Sequence, residues 1–270
     1  MTRIAICAPS TPLKPEDVGR VQALAADYPA LELVFHPQCF EEQGHFAGPD
    51  AVRLAALLEC ANDPGFDAVW CARGGYGANR IAAQAVAAMG EASRGKLFLG
   101  YSDAGYLLSA LYRTGIGKPV HAPMPVDIRR FDGELAVRRS LAFLAGDPSG
   151  IEPSLDGRPT VAFNLMTLAA ICGTGLMPDL SGHVVMVEEV SEHLYAVDRL
   201  FFHVSEHLKD KGIAGLRLGR VTDVPTNDRQ FGVEAEEIAQ DWCARTGIAF
   251  LGFADIGHDP ANKIVPFGLA

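Results

Sequence analysis

The 270-residue chain is predicted to be an α/β protein of two units, the first built on a parallel sheet. Short apolar runs alternate with amphipathic helical stretches as far as residue 145. That alternation is the pattern of strands covered by helices on both faces, a three-layer unit. Gly146-Asp147-Pro148-Ser149-Gly150 then breaks the pattern, with Pro153 just beyond, and such composition marks a linker. The boundary is therefore placed at residue 150, giving units 1–150 and 151–270. With 49 % hydrophobic residues, the chain has enough apolar surface for a sizeable core.

The elements follow in order. Residues 4–8, Ile-Ala-Ile-Cys-Ala, are wholly apolar, as expected of a buried parallel strand. Pro9 and Pro12 interrupt it, and Pro15 opens a helix with Val18, Val21 and Leu24 on one face. A strand over 31–35 precedes a polar loop, and a helix spans 50–62. The strand at 66–72 runs into Arg73-Gly74-Gly75-Tyr76-Gly77, a glycine-rich turn before a helix ending near Ala88. Such a turn lets backbone N–H groups approach an anion. It is not a dinucleotide fingerprint, because Arg80 stands where the third glycine belongs, and no Gly-Lys-Ser/Thr follows to make a Walker loop.

Leu97-Phe98-Leu99-Gly100-Tyr101-Ser102-Asp103 is the stretch around which the chemistry gathers. An apolar strand ends at Gly100 and a helix with Leu107, Leu108 and Leu111 at helical spacing begins at Ala104. Ser102 thus sits on a strand-to-helix turn, the setting of a nucleophile elbow, although Ala104 replaces the final glycine of G-x-S-x-G. Taken alone, the same serine reads first as a helix N-cap, a role that serine favours. A strand at 118–124 carries His121, and a helix spans 133–145. Beyond the linker, strands are expected at 160–162, 183–188, 216–221 and 248–253, with helices at 164–172, 195–208 and 235–246.

Other features limit the function. The net charge of -10 and pI near 5.2 disfavour nucleic acid and anionic membrane as partners. Six cysteines without a C-x-x-C read as reduced thiols in a reducing compartment. The N-terminal apolar run is too short for a signal peptide, and no stretch approaches a membrane span, so a cytoplasmic location is expected. His36, Cys39 and His45 fit no zinc spacing. His203-Val204-Ser205-Glu206-His207 matches H-x-x-E-H and leaves a zinc peptidase as one alternative, with no downstream carboxylate to complete it. His121 and His258 are both candidate bases, and Glu188 and Glu189 end a strand. Ser102, Glu188 and His258 would together form an acyl-transfer site, with the glycine-rich turn as oxyanion binder. No cofactor or metal is called for.

Several segments resemble the LD-carboxypeptidases, serine peptidases that include microcin-immunity enzymes. They are Ile6-Cys7-Ala8-Pro9-Ser10, residues 72–80, Gly100-Tyr101-Ser102-Asp103, His121-Ala122-Pro123-Met124, residues 187–199 and Gly257-His258-Asp259-Pro260. They run in the family's order from end to end. The resemblance implies a triad of Ser102, Glu188 and His258, with Glu188 rather than Glu189 as the acid. It implies an oxyanion hole of the Gly75 and Asp103 N–H groups, and substrate contacts from Arg73, Tyr76 and Asn164, with Arg80 a second basic candidate for the substrate carboxylate. It further implies a smaller, β-rich α/β C-terminal domain, a homodimer, and release of D-alanine from a murein tetrapeptide. Acyl or peptidyl nucleotides are the alternative substrates. Phe163 stands where the family has a small residue, which implies an altered pocket.

Overall fold

The computed structural model describes residues 1–268. Five strands, β1 (Thr2–Cys7), β2 (Leu31–Phe35), β3 (Ala68–Cys71), β4 (Leu97–Gly100) and β5 (Lys118–His121), form a parallel sheet in the order β5-β4-β3-β1-β2. Successive residues of a strand face opposite sides, and here both sides are apolar. Ile4, Ile6, Trp70, Leu99 and Val120 face helices α1 (Pro15–Ala25) and α5 (Gly133–Leu144). Ala5, Cys7, Val69, Cys71 and Phe98 face α2 (Asp50–Asn62), α3 (Ala82–Ala88) and α4 (Gly105–Thr114). The expected three-layer unit is thus present, and it explains why its strands read as continuous apolar runs.

The second unit is also layered. β6 (Thr160–Asn164), β7 (Val184–Val190), β8 (Gly215–Thr222) and β9 (Phe250–Phe253) form a four-stranded parallel sheet in chain order. Helices α6 (Leu165–Ile171), α7 (Leu194–Leu208) and α8 (Ala235–Thr246) connect them. The two units share one apolar core. Leu107, Leu108 and Leu111 of α4 belong to the same cluster as Phe163, Leu168, Val185 and Phe201.

One strand was not legible in the sequence. β10 (Val265–Pro266) returns from the end of the chain and pairs antiparallel with β5, Val265 opposite His121. A two-residue strand ending in proline has no periodicity to read, and proline is tolerated there because the strand lies at the sheet edge. A cut at residue 150 therefore separates the main strands of the two sheets but not this last one.

Candidate active site

The loops leaving the C-terminal ends of β1, β3, β4 and β5 meet on one side of the first sheet, beside the strand-order reversal where open α/β sheets bind ligands. Ends from the second unit lie against them. A cavity of about 410 Å³ results, lined among others by Arg73, Gly74, Gly75, Tyr101, Ser102, Met124 and His258. A larger groove of about 1000 Å³ runs past Arg220, Glu234 and Phe253 on the second unit and is lined by no serine of the elbow and no histidine.

Ser102 has φ 58°, in the left-handed region that a non-glycine residue occupies at a cost. It begins a short 3-10 turn, Ser102–Ala104, and the N-cap of α4 is Ala104, so the serine is an elbow and not the cap. The turn is tight. A Cβ on Gly100 would lie 2.7 Å from the Cβ of Ala104 and 3.1 Å from that of Cys71. A Cβ on Gly74 would come within 3.1 Å of the Ser102 Oγ, so the glycine-rich turn packs directly against the hydroxyl.

His258 lies in the loop after β9. Its Nδ1 is 2.6 Å from Oε2 of Glu188, and both groups are buried. Burial alone would lower the pKa of the imidazole, but the charge and hydrogen bond of Glu188 outweigh it and raise it. The ring rests on Tyr101, centroids 4.7 Å apart, whose hydroxyl donates to Asp127 at 2.7 Å. Asp127 also accepts from the Met124 N–H and from Arg130. Arg220 pairs with Asp255 and Asp259 on either side of His258 and braces the loop. Among the described residues, Ser102 Oγ has no hydrogen bond to His258, yet both side chains line the same cavity.

The two glutamates are consecutive residues of β7, so their side chains leave opposite faces of the strand. The β7–β8 register shifts between Val187 and Glu189, a bulge of the kind that re-aims a side chain beside a site. Glu188 faces His258. Glu189 points away, accepting from Asn164 Nδ2 at 2.7 Å and the Met166 N–H at 2.8 Å, and burial raises its pKa. Gly219 makes room, since a Cβ there would sit 3.0 Å from that of Glu188 and 2.7 Å from the Ile256 carbonyl oxygen.

The remaining candidates divide. Gly75 (φ 103°) lines the cavity, and a Cβ there would come 2.7 Å from Thr11 Cγ2. The Asp103 carboxylate is buried, accepting from Ser10 Oγ and from the Ala78 N–H at 2.9 Å, and burial raises its pKa against those bonds. Arg73 lines the cavity and donates to the Pro12 carbonyl at 3.1 Å. It has no carboxylate partner among the described residues, whereas Arg129 is paired with Asp17, Arg130 with Asp127, and Arg80 with Asp50. Burial, then the charge of Arg129, lower the Arg73 pKa.

Tyr76 and Asn164 are not brought to the cavity wall. Tyr76 is exposed and packs on His45 and Phe46. The amide of Asn164 caps α6 at Thr167 and holds Glu189. Phe163 is a core residue, 5.2 Å from the Phe267 ring, so its bulk fills the junction of the two sheets and not the cavity. His121 is wholly buried, bonded to Asn262 at 3.0 Å, with its pKa lowered by burial. Glu206 is bound to Lys209 at 2.7 Å, and His36 to Glu59 at 3.0 Å. Among the described residues no three His, Cys, Asp or Glu side chains are grouped to hold a metal, and no helix is long and apolar enough to cross a membrane. The bracing residues Tyr101, Asp127, Arg220 and Asn262 carry no sequence signal of their role.

Comparison with known proteins agrees with the motif resemblance. The LD-carboxypeptidase N-terminal domain matches residues 4–122 and the C-terminal domain residues 159–270. The murein tetrapeptide carboxypeptidase of Pseudomonas aeruginosa is 26 % identical over 246 residues, 83 % of this chain and 78 % of that protein. The crystal structure of muramoyltetrapeptide carboxypeptidase from Oxalobacter formigenes superposes with TM-score 0.82 at 25 % identity, covering 98 % of this chain and 93 % of that one. The microcin C7 self-immunity protein MccF shares the fold, with TM-score 0.79 at 17 % identity over 99 % and 91 % of the two chains. With both domains matched in order around a serine elbow, the chain belongs to the LD-carboxypeptidase family and is a serine-type carboxypeptidase.

Proposed function

We propose that this enzyme hydrolyses the bond between an L-configured centre and a terminal D-amino acid, releasing D-alanine from a murein-derived tetrapeptide in the cytoplasm, as a homodimer. Ser102 Oγ attacks the scissile carbonyl while His258 Nε2 takes its proton. Glu188, on Nδ1, holds the ring and stabilises the imidazolium. The oxyanion is received by the N–H groups of Gly75 and Asp103. His258 then protonates the leaving amine, D-alanine departs, and water releases the tripeptide from Ser102 by the same steps reversed in role. Arg73 receives the terminal carboxylate, being the cavity arginine without an acid partner.

The observation that carries this reading is the 2.6 Å Glu188–His258 pair beside the cavity that Ser102 also lines. Wild type and Ser102→Ala are incubated with an L-lysyl- or diaminopimelyl-D-alanine tetrapeptide, and D-alanine is followed with a D-amino-acid oxidase. Release by wild type and none by the variant is expected. Equal release from both, or cleavage only of a terminal L-alanine peptide, rejects it.

A further inference from the structure

Three buried side chains, Thr11, Arg53 and Asp103, tie the glycine-rich turn and the Ala78 that follows it to the rest of the site. Thr11 Oγ1 donates to the Gly74 carbonyl at 2.6 Å. The wholly buried guanidinium of Arg53 donates to the Gly77 carbonyl at 2.9 Å and to that of Pro9. The Asp103 carboxylate takes the Ala78 N–H at 2.9 Å and the Ser10 hydroxyl on a single oxygen, Oδ2. Asp103 is the residue after Ser102 and is 4 % exposed. One side chain therefore joins the elbow, the β1 loop and the turn that lies against the serine hydroxyl.

We propose that the Asp103 carboxylate is a positioning residue that sets the distance between Ser102 and the turn carrying Gly75, and so acts on the transition state and not on substrate affinity. This rests on the serine mechanism proposed above. The oxyanion lies between the two segments that Asp103 joins. A donor displaced by a fraction of an ångström still permits substrate binding but no longer meets the tetrahedral oxygen. Burial makes the tie stiff, because an unpaired Ala78 N–H or Ser10 hydroxyl there would find no water.

The test compares Asp103→Ala, Asp103→Asn and Ser10→Ala. Tetrapeptide turnover gives kcat and KM, a fluorophosphonate gives the rate of Ser102 labelling, and circular dichroism gives folding. Asp103→Ala is expected to lower kcat and the labelling rate together, by about 10²-fold, with KM changed less than threefold. Asp103→Asn keeps an oxygen acceptor at the Oδ2 position and is expected to recover most of that loss. Ser10→Ala, which removes one of the two Oδ2 bonds, should fall between. If Asp103→Ala does not fold, Ser10→Ala and Asp103→Asn carry the test alone, and wild-type kcat in both overturns the proposal. A rise in KM at unchanged kcat also overturns it. Should wild type label with the fluorophosphonate yet leave every tetrapeptide intact, the substrate assignment fails while the labelling rates still decide the role of Asp103.

Discussion

Nδ1 of His258 lies 2.6 Å from Oε2 of Glu188, although the two residues are 70 positions apart, one on β7 and the other in the loop after β9. The pair sets both the tautomer of the imidazole and its affinity for a proton. In the proposed mechanism it is neutral imidazole that accepts the serine proton, so activity should fall as pH drops through the raised pKa of His258. Glu188→Gln removes the charge that raises it. The acid limb of kcat/KM is expected to move to lower pH, with kcat reduced about 10²- to 10⁴-fold, measured across a pH series. An acid limb that stays in place would sink the pairing as the cause.

The same raised pKa has a sign for stability. Folding favours protonated His258, so the contribution is fully present below the unfolded value of about 6.5 and is lost as pH rises through the folded value. Chemical denaturation of wild type and Glu188→Gln is expected to show their difference shrinking as pH increases over that window.

Ser102 holds its left-handed conformation for the sake of the elbow. Ser102→Gly should be inactive yet more stable than Ser102→Ala by about 1 kcal/mol, since glycine relieves the strain that alanine retains. Thermal melts of the two variants check this. Equal stability would mean that the turn is not strained.

Arg73 has no acid partner among the described residues, and Arg129 and Arg130 already have theirs. Arg73→Met is expected to raise KM roughly 10- to 100-fold, about the value of a hydrogen bond to a charged group. Wild type should discriminate strongly against a C-terminally amidated substrate, and the variant should not. Discrimination kept in Arg73→Met would assign the carboxylate to another group.

Glu206 is tied to Lys209 and His203 is exposed on α7. A chelator is expected to leave hydrolysis unchanged, and His203→Ala should keep wild-type kcat. Loss of activity in either experiment would return the zinc alternative.

Much of this architecture is local and therefore readable along the chain. Ile4 and Ile6 alternate with Ala5 and Cys7, and both sets are apolar because helices cover both faces of β1. Gly100-Tyr101-Ser102 announces a sharp turn because small residues must flank it. The motifs around Arg73-Gly74-Gly75, Glu188 and His258 carry the family resemblance in residue types and order alone.

Sequence alone determined the parallel first sheet, the elbow and the family. Tertiary structure decided which neighbours those residues have. A one-residue step and a bulge send Glu188 to His258 and Glu189 to Asn164, and no local pattern encodes that choice. Folding buries His121 away from the cavity, takes Phe163 into the core and carries β10 back to β5. These outcomes depend on contacts between segments far apart in the chain. Burial and charge at such contacts are properties of the packed whole, and periodicity reports only the segment in which it is read.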